Sequence, residues 1–180
     1  MAVGCAVLAA VASWSDFLLV VAHHVIPGWL VGAAFLAISS ALVLIRTVRR
    51  RSAPDRAREK GTVTGRWILA FSVVAAGLGS ALGAVGDLGA EYRMLEPRGP
   101  GGCQAVTRET AFLYAGSGDV YSVGAGGIGR PTGHWTADDG LRPIAAGSYG
   151  LSWGDDSGSL MIHGTATDPV RPALHDVDCG

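Results

Sequence analysis

In the first half of the chain apolar positions run on with few polar interruptions, whereas in the second half short apolar runs alternate with polar residues between glycine-rich turns. Uninterrupted runs of about 18 or more residues can cross a hydrocarbon core of about 30 Å as helices that satisfy their own backbones. Residues 2–22, 28–45 and 67–85 meet that length, the first broken only by Ser13, Ser15 and Asp16 and the others free of charge. Between the first two, His23-His24-Val25-Ile26-Pro27-Gly28 combines polar rings with a proline that lacks a backbone donor, so a tight hairpin is expected there. Residues 1–90 are therefore expected to be a transmembrane region of three helices, with residues 46–66 as the loop before the third.

Residues 91–102 are rich in proline and glycine and have no periodic apolar face, which suits a linker. From residue 103 to 180 the pattern has period two, so a small all-β domain is expected, an antiparallel meander curled into a sandwich or barrel. Tyr149, Leu151 and Trp153 alternate before Gly154-Asp155-Asp156-Ser157-Gly158, and Leu160 and Ile162 alternate after it, predicting a hairpin. A second hairpin is expected to join Ala111–Ala115 to Val120–Val123 across Gly116-Ser117-Gly118-Asp119, with further strands over 104–108 and 134–137. The expected core is Val106, Phe112, Tyr121, Trp135, Tyr149, Leu151, Trp153, Leu160 and Ile162.

Charge adds an orientation. The 180 residues carry a net charge of -1, yet residues 46–66 hold eight basic residues against two acids, and residues 91–180 hold six against eleven. The positive-inside rule places the basic loop in the cytoplasm. The N-terminus then lies in the cytoplasm, His23 and His24 lie outside, and the β domain is extracellular on a multi-pass plasma-membrane protein. Trp29 and Trp67 fall where amphipathic rings prefer the interface. A cleaved signal ending at Ala10-Val11-Ala12 is the rival reading; it lacks a basic leader, and apolar character resumes at Phe17. Cys103 and Cys179 bracket the exported domain, so an oxidising compartment favours their pairing, which would stabilise a small domain by closing a long loop. Gly28, Gly32, Ala33, Ala37 and Ala41 and, later, Gly79 and Gly83 form small faces that suit packing among the helices, with homo-oligomerisation as the lesser alternative.

Candidate chemistry is sparse, and the expectation is no catalytic residue, no cofactor and no metal. Asp16 with His23 and His24 has the residue types of a proton or ion relay, but one acid beside two interfacial histidines makes a poor pathway. Trp135 and Trp153 have the rings for sugar stacking, although alternating strand positions favour the core. Gly124-Ala-Gly126-Gly-Ile-Gly129 matches a dinucleotide fingerprint formally, but Arg130-Pro131-Thr132-Gly133 continues the loop where the motif needs a helix N-terminus. Asp138-Asp139-Gly140 and Asp155-Asp156 offer oxygen ligands without the alternating acids of a calcium loop, so turn chemistry is the expected role. His134, His163 and His175 lack zinc spacing, and Ser117, Ser148 and Ser159 sit in Gly-Ser contexts that do not complete a Gly-x-Ser-x-Gly elbow. The arginines of 46–51 suit anionic lipid, and the loop is too short for a nucleic-acid module.

The run Thr107-Arg-Glu-Thr-Ala-Phe-Leu-Tyr-Ala-Gly-Ser-Gly-Asp-Val-Tyr121, with Trp135-Thr-Ala-Asp-Asp-Gly-Leu-Arg-Pro143 and Asp176-Val-Asp-Cys179, resembles small membrane proteins of Streptomyces and related actinobacteria. The resemblance covers the exported half and implies that source and a membrane location; it carries no activity, substrate or catalytic residue. The expected function is a membrane-anchored, non-enzymatic module whose partners are the bilayer and a cell-envelope component or membrane protein. Two alternatives stand beside it: an accessory subunit of a transport or secretion complex, and an exported enzyme using His134, Asp138, Asp139 and Asp155.

Overall fold

The computed structural model describes residues 2–51 and 63–179, so the middle of the basic loop, residues 52–62, lies outside the described residues. The chain divides into two compact units, Met1–Ser15 with Pro27–Val85, and Asp16–Ile26 with Gly86–Gly180.

The first unit is helical: α1 (Ala2–Trp14), α2 (Gly28–Arg51) and α3 (Val63–Gly86). Its packing inverts the pattern of a water-soluble bundle. Ala2, Ala6, Ala9, Ser39, Ser72 and Ala76 are buried, while Trp67, Phe71, Val74, Leu78, Leu82 and Val85 form an exposed stripe along α3. Small residues inside let the backbones approach closely, which is how helices associate where hydrocarbon rather than water surrounds them. A Cβ added at Gly32 would run into Ser13, one at Gly79 into Ser13 and Trp14, and one at Gly83 into the ring of Trp29. Gly32, Gly79 and Gly83 therefore serve packing within the chain, whereas Ala37 and Ala41 of the expected small face are exposed. Serine hydroxyls complete the contacts: Ser39 Oγ donates to Ala2 O at 3.0 Å, and Ser13 and Ser80 share a hydrogen bond of 3.1 Å.

Two helices, α2 and α3, are long and apolar enough to cross a bilayer. The expected first span, 2–22, is corrected, because its helix ends at Trp14 and Leu18–Val21 is a strand. At about 1.5 Å per residue the 13-residue α1 rises only about 20 Å. Periodicity alone does not separate a short buried strand from a helical segment. Here Leu18 finds a sheet to join and is buried against Val106, Tyr121 and Val123.

The second unit is antiparallel β. Its strands are β1 (Leu18–Val21), β2 (His24–Pro27), β3 (Glu91–Met94), β4 (Gln104–Phe112), β5 (Ala115–Val123), β6 (Ile128–Asp138), β7 (Tyr149–Trp153), β8 (Gly158–Ile162), β9 (Val170–Arg171) and β10 (Leu174–Val177). A seven-stranded sheet has the order β2-β1-β6-β5-β4-β3 with β9 on β6, and a three-stranded sheet has the order β10-β8-β7. Ala105, Val120, Trp135 and Ala137 of the large sheet share one core with Leu160, Ile162 and Val177 of the small one, and Cys103–Cys179 joins residues 76 apart.

The β7–β8 hairpin turns at the expected glycine and aspartates, with Trp153 opposite Gly158. The other expected hairpin is displaced. Phe112 pairs with Ala115, so the chain turns at Leu113-Tyr114 and Gly116–Asp119 lies within β5. Gly118 is needed beneath Trp135, whose indole a Cβ there would strike, and Gly116 is needed against the Leu141 backbone. Phe112, expected in the core, is exposed at this turn. The expected linker 91–102 includes β3, which pairs with β4 from Glu91–Glu109 to Met94–Val106.

Candidate functional site

The strongest polar arrangement in the β unit is a row of side chains across four neighbouring strands. Antiparallel register sets Tyr92 of β3 opposite Arg108 of β4, Arg108 opposite Asp119 of β5, and Asp119 opposite His134 of β6. Side chains directly opposite one another lie on the same face of a sheet, so the register alone brings these four together. Arg108 Nη1 donates to Asp119 Oδ2 at 3.0 Å, and His134 Nδ1 donates to Asp119 Oδ1 at 2.7 Å.

Asp87, just past α3, closes the inner end of the row. Its carboxylate accepts from Arg108 Nε at 2.7 Å and from the Tyr92 hydroxyl at 3.0 Å, while Arg108 Nη2 reaches the carbonyl of Gly86. A guanidinium at the last carbonyl of a helix satisfies an orphan acceptor and complements the negative end of the helix dipole. Burial works against the charge on Arg108, but the hydrogen bonds and charges of its acid partners outweigh it and hold the pKa above its ordinary value. Burial and the charge of Asp87 push the Tyr92 hydroxyl up, and burial with Asp119 beside it pushes Tyr121 up to about 12. Both phenols therefore stay protonated at physiological pH.

Asp119 and His134 have the geometry of an orienting acid and a base. Among the described residues, however, no serine, threonine or cysteine side chain hydrogen-bonds to His134, and no group of three metal-donor side chains is gathered. The row instead pins the chain leaving α3 to the middle of the sheet, with His134 at its solvent-exposed end.

The other residues singled out in the sequence are dispersed. Asp16 is exposed at the entry to β1 and sits in no helix, so the carboxylate-in-a-membrane-helix premise of the relay does not hold. His23 lies at the β1–β2 turn, 3.4 Å from Arg98 Nη2, and His24 bonds Ala22 O at 3.0 Å. Trp135 is buried in the core beside His175, which excludes it from stacking on a sugar. Asp138 ends β6 and Asp139 follows it at positive φ, and Asp155 and Asp156 occupy the β7–β8 turn, all exposed to solvent. Turn formation accounts for both pairs. Two shallow grooves of about 420 and 370 Å³ flank the glycine loop 124–127, one with Arg130 and Asp178 on its wall and the other with His23, Arg98 and Gln104. The loop leads into β6, not a helix, so the dinucleotide fingerprint has no phosphate-binding terminus to offer.

Sequence reading missed Asp87, Tyr92, Arg108, Asp119 and Glu109. The first four become a unit only through strand register. Glu109 is a fully buried carboxylate that accepts the backbone N–H groups of Ile144 and Ala145 at 2.9 and 2.8 Å, capping the turn over 143–147. Burial pushes its carboxyl up, while those two hydrogen bonds work in the opposite direction. Its alternation with Thr107 and Ala111 on the core-facing side of β4 was the available signal. Compared with known protein families, curated proteins and solved structures, the chain matches none.

Proposed function

We propose that this protein is a non-enzymatic module that holds a disulfide-closed β domain at the outer face of a bacterial plasma membrane, where the domain meets a cell-envelope component or a partner protein. The observation that carries this reading is the inverted packing of the helical unit: small residues inside and large apolar side chains outside along α2 and α3. In water such an outward stripe would be costly; in lipid it is the expected arrangement.

The orientation has support independent of charge. β1 pairs with β6, so residues 18–21 and the β domain that follows α3 must share a compartment. With α2 and α3 as the spans, the loop between them then lies on the opposite side. Its arginines favour the cytoplasm for that side, and the Cys103–Cys179 bond suits an oxidising compartment for the other. In this form α1 enters the hydrocarbon without crossing it.

Single cysteines read by a membrane-impermeant maleimide on intact spheroplasts test the topology, with Cys5 replaced by serine. Ala125→Cys should label at once and Ala57→Cys only after permeabilisation; the reverse pattern would overturn the proposal. Incubating the purified protein with cell-wall fractions and membrane extracts then tests the interaction, and failure to retain any component from either would count against a binding role.

A further inference from the structure

The groove of about 370 Å³ beside the glycine loop is lined entirely by residues of the β unit. Strand register aims Gln104 at it. Gln104 of β4 stands opposite Val123 of β5, so both side chains lie on one face of the sheet. Val123 packs with Leu18 on that face, and Val20, two residues further along β1, packs against the same cluster. Gln104 is only 5% exposed, yet no hydrogen bond from a described residue reaches its carboxamide. Among the described residues, every side-chain nitrogen or oxygen fully sealed from solvent has a hydrogen-bond partner, so this carboxamide is not sealed and opens on the groove it lines. A largely buried amide is costly to leave without a partner.

The rim supplies a cation. Arg98, half exposed on the groove wall, donates to His23 Nε2 at 3.4 Å and lies 4.0 Å from Glu96. Both contacts are long, and a guanidinium has five N–H donors, so most of them remain for a ligand. No acid lines the groove. Ala22 and His23 form the two-residue β1–β2 turn at φ values of 49° and 66°, a backbone region that glycine and asparagine ordinarily fill. The turn keeps an imidazole at the rim in spite of that strain, and such strain clusters at ligand sites. Opposite it, the Val20 N–H donates to Gly127 O at 2.7 Å, and a Cβ on Gly127 would strike the Val20 carbonyl. The glycine run that matches a dinucleotide fingerprint only in form thus closes one wall of the groove.

We propose that this groove binds a carboxylate attached to a small apolar group, as at the C-terminus of a peptide. Arg98 pairs with the carboxylate, the Gln104 carboxamide donates to one of its oxygens, and Val20 and Val123 contact the apolar group. A single guanidinium suits a singly charged, planar anion, whose two oxygens match its fork. A more highly charged phosphate would call for further cations, and the apolar floor would give it nothing to bury. The volume lies within the range of small-molecule sites, about 300–1,000 Å³. This gives the partner in the proposed interaction a chemical class, and it rests on the β unit alone, not on its attachment to a membrane.

Gln104 is the only glutamine in a chain without asparagine, so its NH2 group gives the only side-chain carboxamide signal in a nitrogen-labelled correlation spectrum. The full chain in dodecyl maltoside micelles is titrated with N-acetyl-alanyl-alanine, with the same peptide as its C-terminal amide, with acetate and with inorganic phosphate, all at one ionic strength. The free-acid peptide should move the Gln104 signal saturably, the amide should not, and acetate and phosphate should bind severalfold more weakly. Arg98→Ala, which removes a half-exposed side chain outside the core, should weaken the peptide by roughly tenfold or more, the worth of a hydrogen bond to a charged group. Arg171→Ala, at an exposed arginine that does not line the groove, should change nothing. A Gln104 signal that ignores the free-acid peptide, an equal response to its amide, or unchanged affinity in Arg98→Ala would each overturn the proposal. Equal binding of acetate or phosphate would also overturn it, leaving an unselective anion contact. If cell-wall fractions retain the protein while the peptide does not bind, the interaction reading stands and this groove is not its site.

Discussion

Glu109 and His175 are buried titratable groups whose pKa values move in opposite directions with respect to the stability of the domain. Burial raises Glu109 above its ordinary 4.5, so the folded state holds this proton more tightly than the unfolded chain. Its contribution therefore grows as pH falls from neutral into the raised range and is complete below 4.5. Burial lowers His175 below its ordinary 6.5, so the unfolded chain takes that proton first, and stability is lost as pH falls beneath 6.5. Melting temperatures measured from neutral pH downward should separate the two. His175→Gln is expected to remove the acid loss, and Glu109→Gln to remove the acid gain while costing about 1–2 kcal/mol at neutral pH, because an amide can serve only one of the two buried N–H groups. An unchanged pH profile in both variants would mean that these groups titrate alike in the folded and unfolded chain. At the exposed β4–β5 turn the sign reverses. Leu113→Gly is expected to stabilise the β domain by about 1 kcal/mol in urea unfolding, since it relieves a leucine held at a φ of 54° that packs on nothing.

At the scale of elements, the charged row and the glycines decide how the sheet is held. Arg108→Gln would leave Asp87 and Asp119 without the cation between them and should cost about 2–4 kcal/mol, below the range for fully buried pairs because the row is partly exposed. Gly118→Val should be at least as damaging, since its side chain would occupy the space of the Trp135 indole, and refolding yield is the quick readout. The β7–β8 hairpin was legible in the sequence because its alternation and its Gly-Asp-Asp-Ser-Gly turn agree, and the disulfide because two cysteines bracket the domain. The Gly116–Asp119 run misled because glycine marks a close approach as readily as a turn, and only the partner strand reveals that Trp135 lies over Gly118. Leu18–Val21 misled for a related reason: four apolar residues after a helical run read as more helix until a distant strand edge is known to receive them. The row from Tyr92 to His134 was illegible because its members are scattered along the chain and meet only through register.

At the scale of the molecule, the β unit is assembled from two separated pieces of chain, residues 16–26 and 86–180. Leu18 fills the small cluster formed by Val106, Tyr121 and Val123, and β3 supplies Tyr92 and Met94 to it. Burying one leucine side chain is worth about 2–3 kcal/mol, a large fraction of the net stability of a small domain. In the chain-entropy model the disulfide adds about 4.5 kcal/mol by closing the loop from Cys103 to Cys179, but it cannot replace strands that lie outside that loop. A fragment of residues 103–180 therefore should not fold even when oxidised, because it keeps the bond and loses β1, β2 and β3. Fusing 16–27 through a flexible linker to 86–180 should restore a cooperative urea transition followed by Trp135 fluorescence, and reducing the bond should then shift its midpoint downward. A cooperative transition in the oxidised 103–180 fragment would show that the cysteine-bracketed region is self-sufficient and that the strand delivered between the first two helices is an accessory. Its absence there, with recovery in the fusion, would show that the sheet is incomplete until residues 16–27 have joined the strands that follow α3.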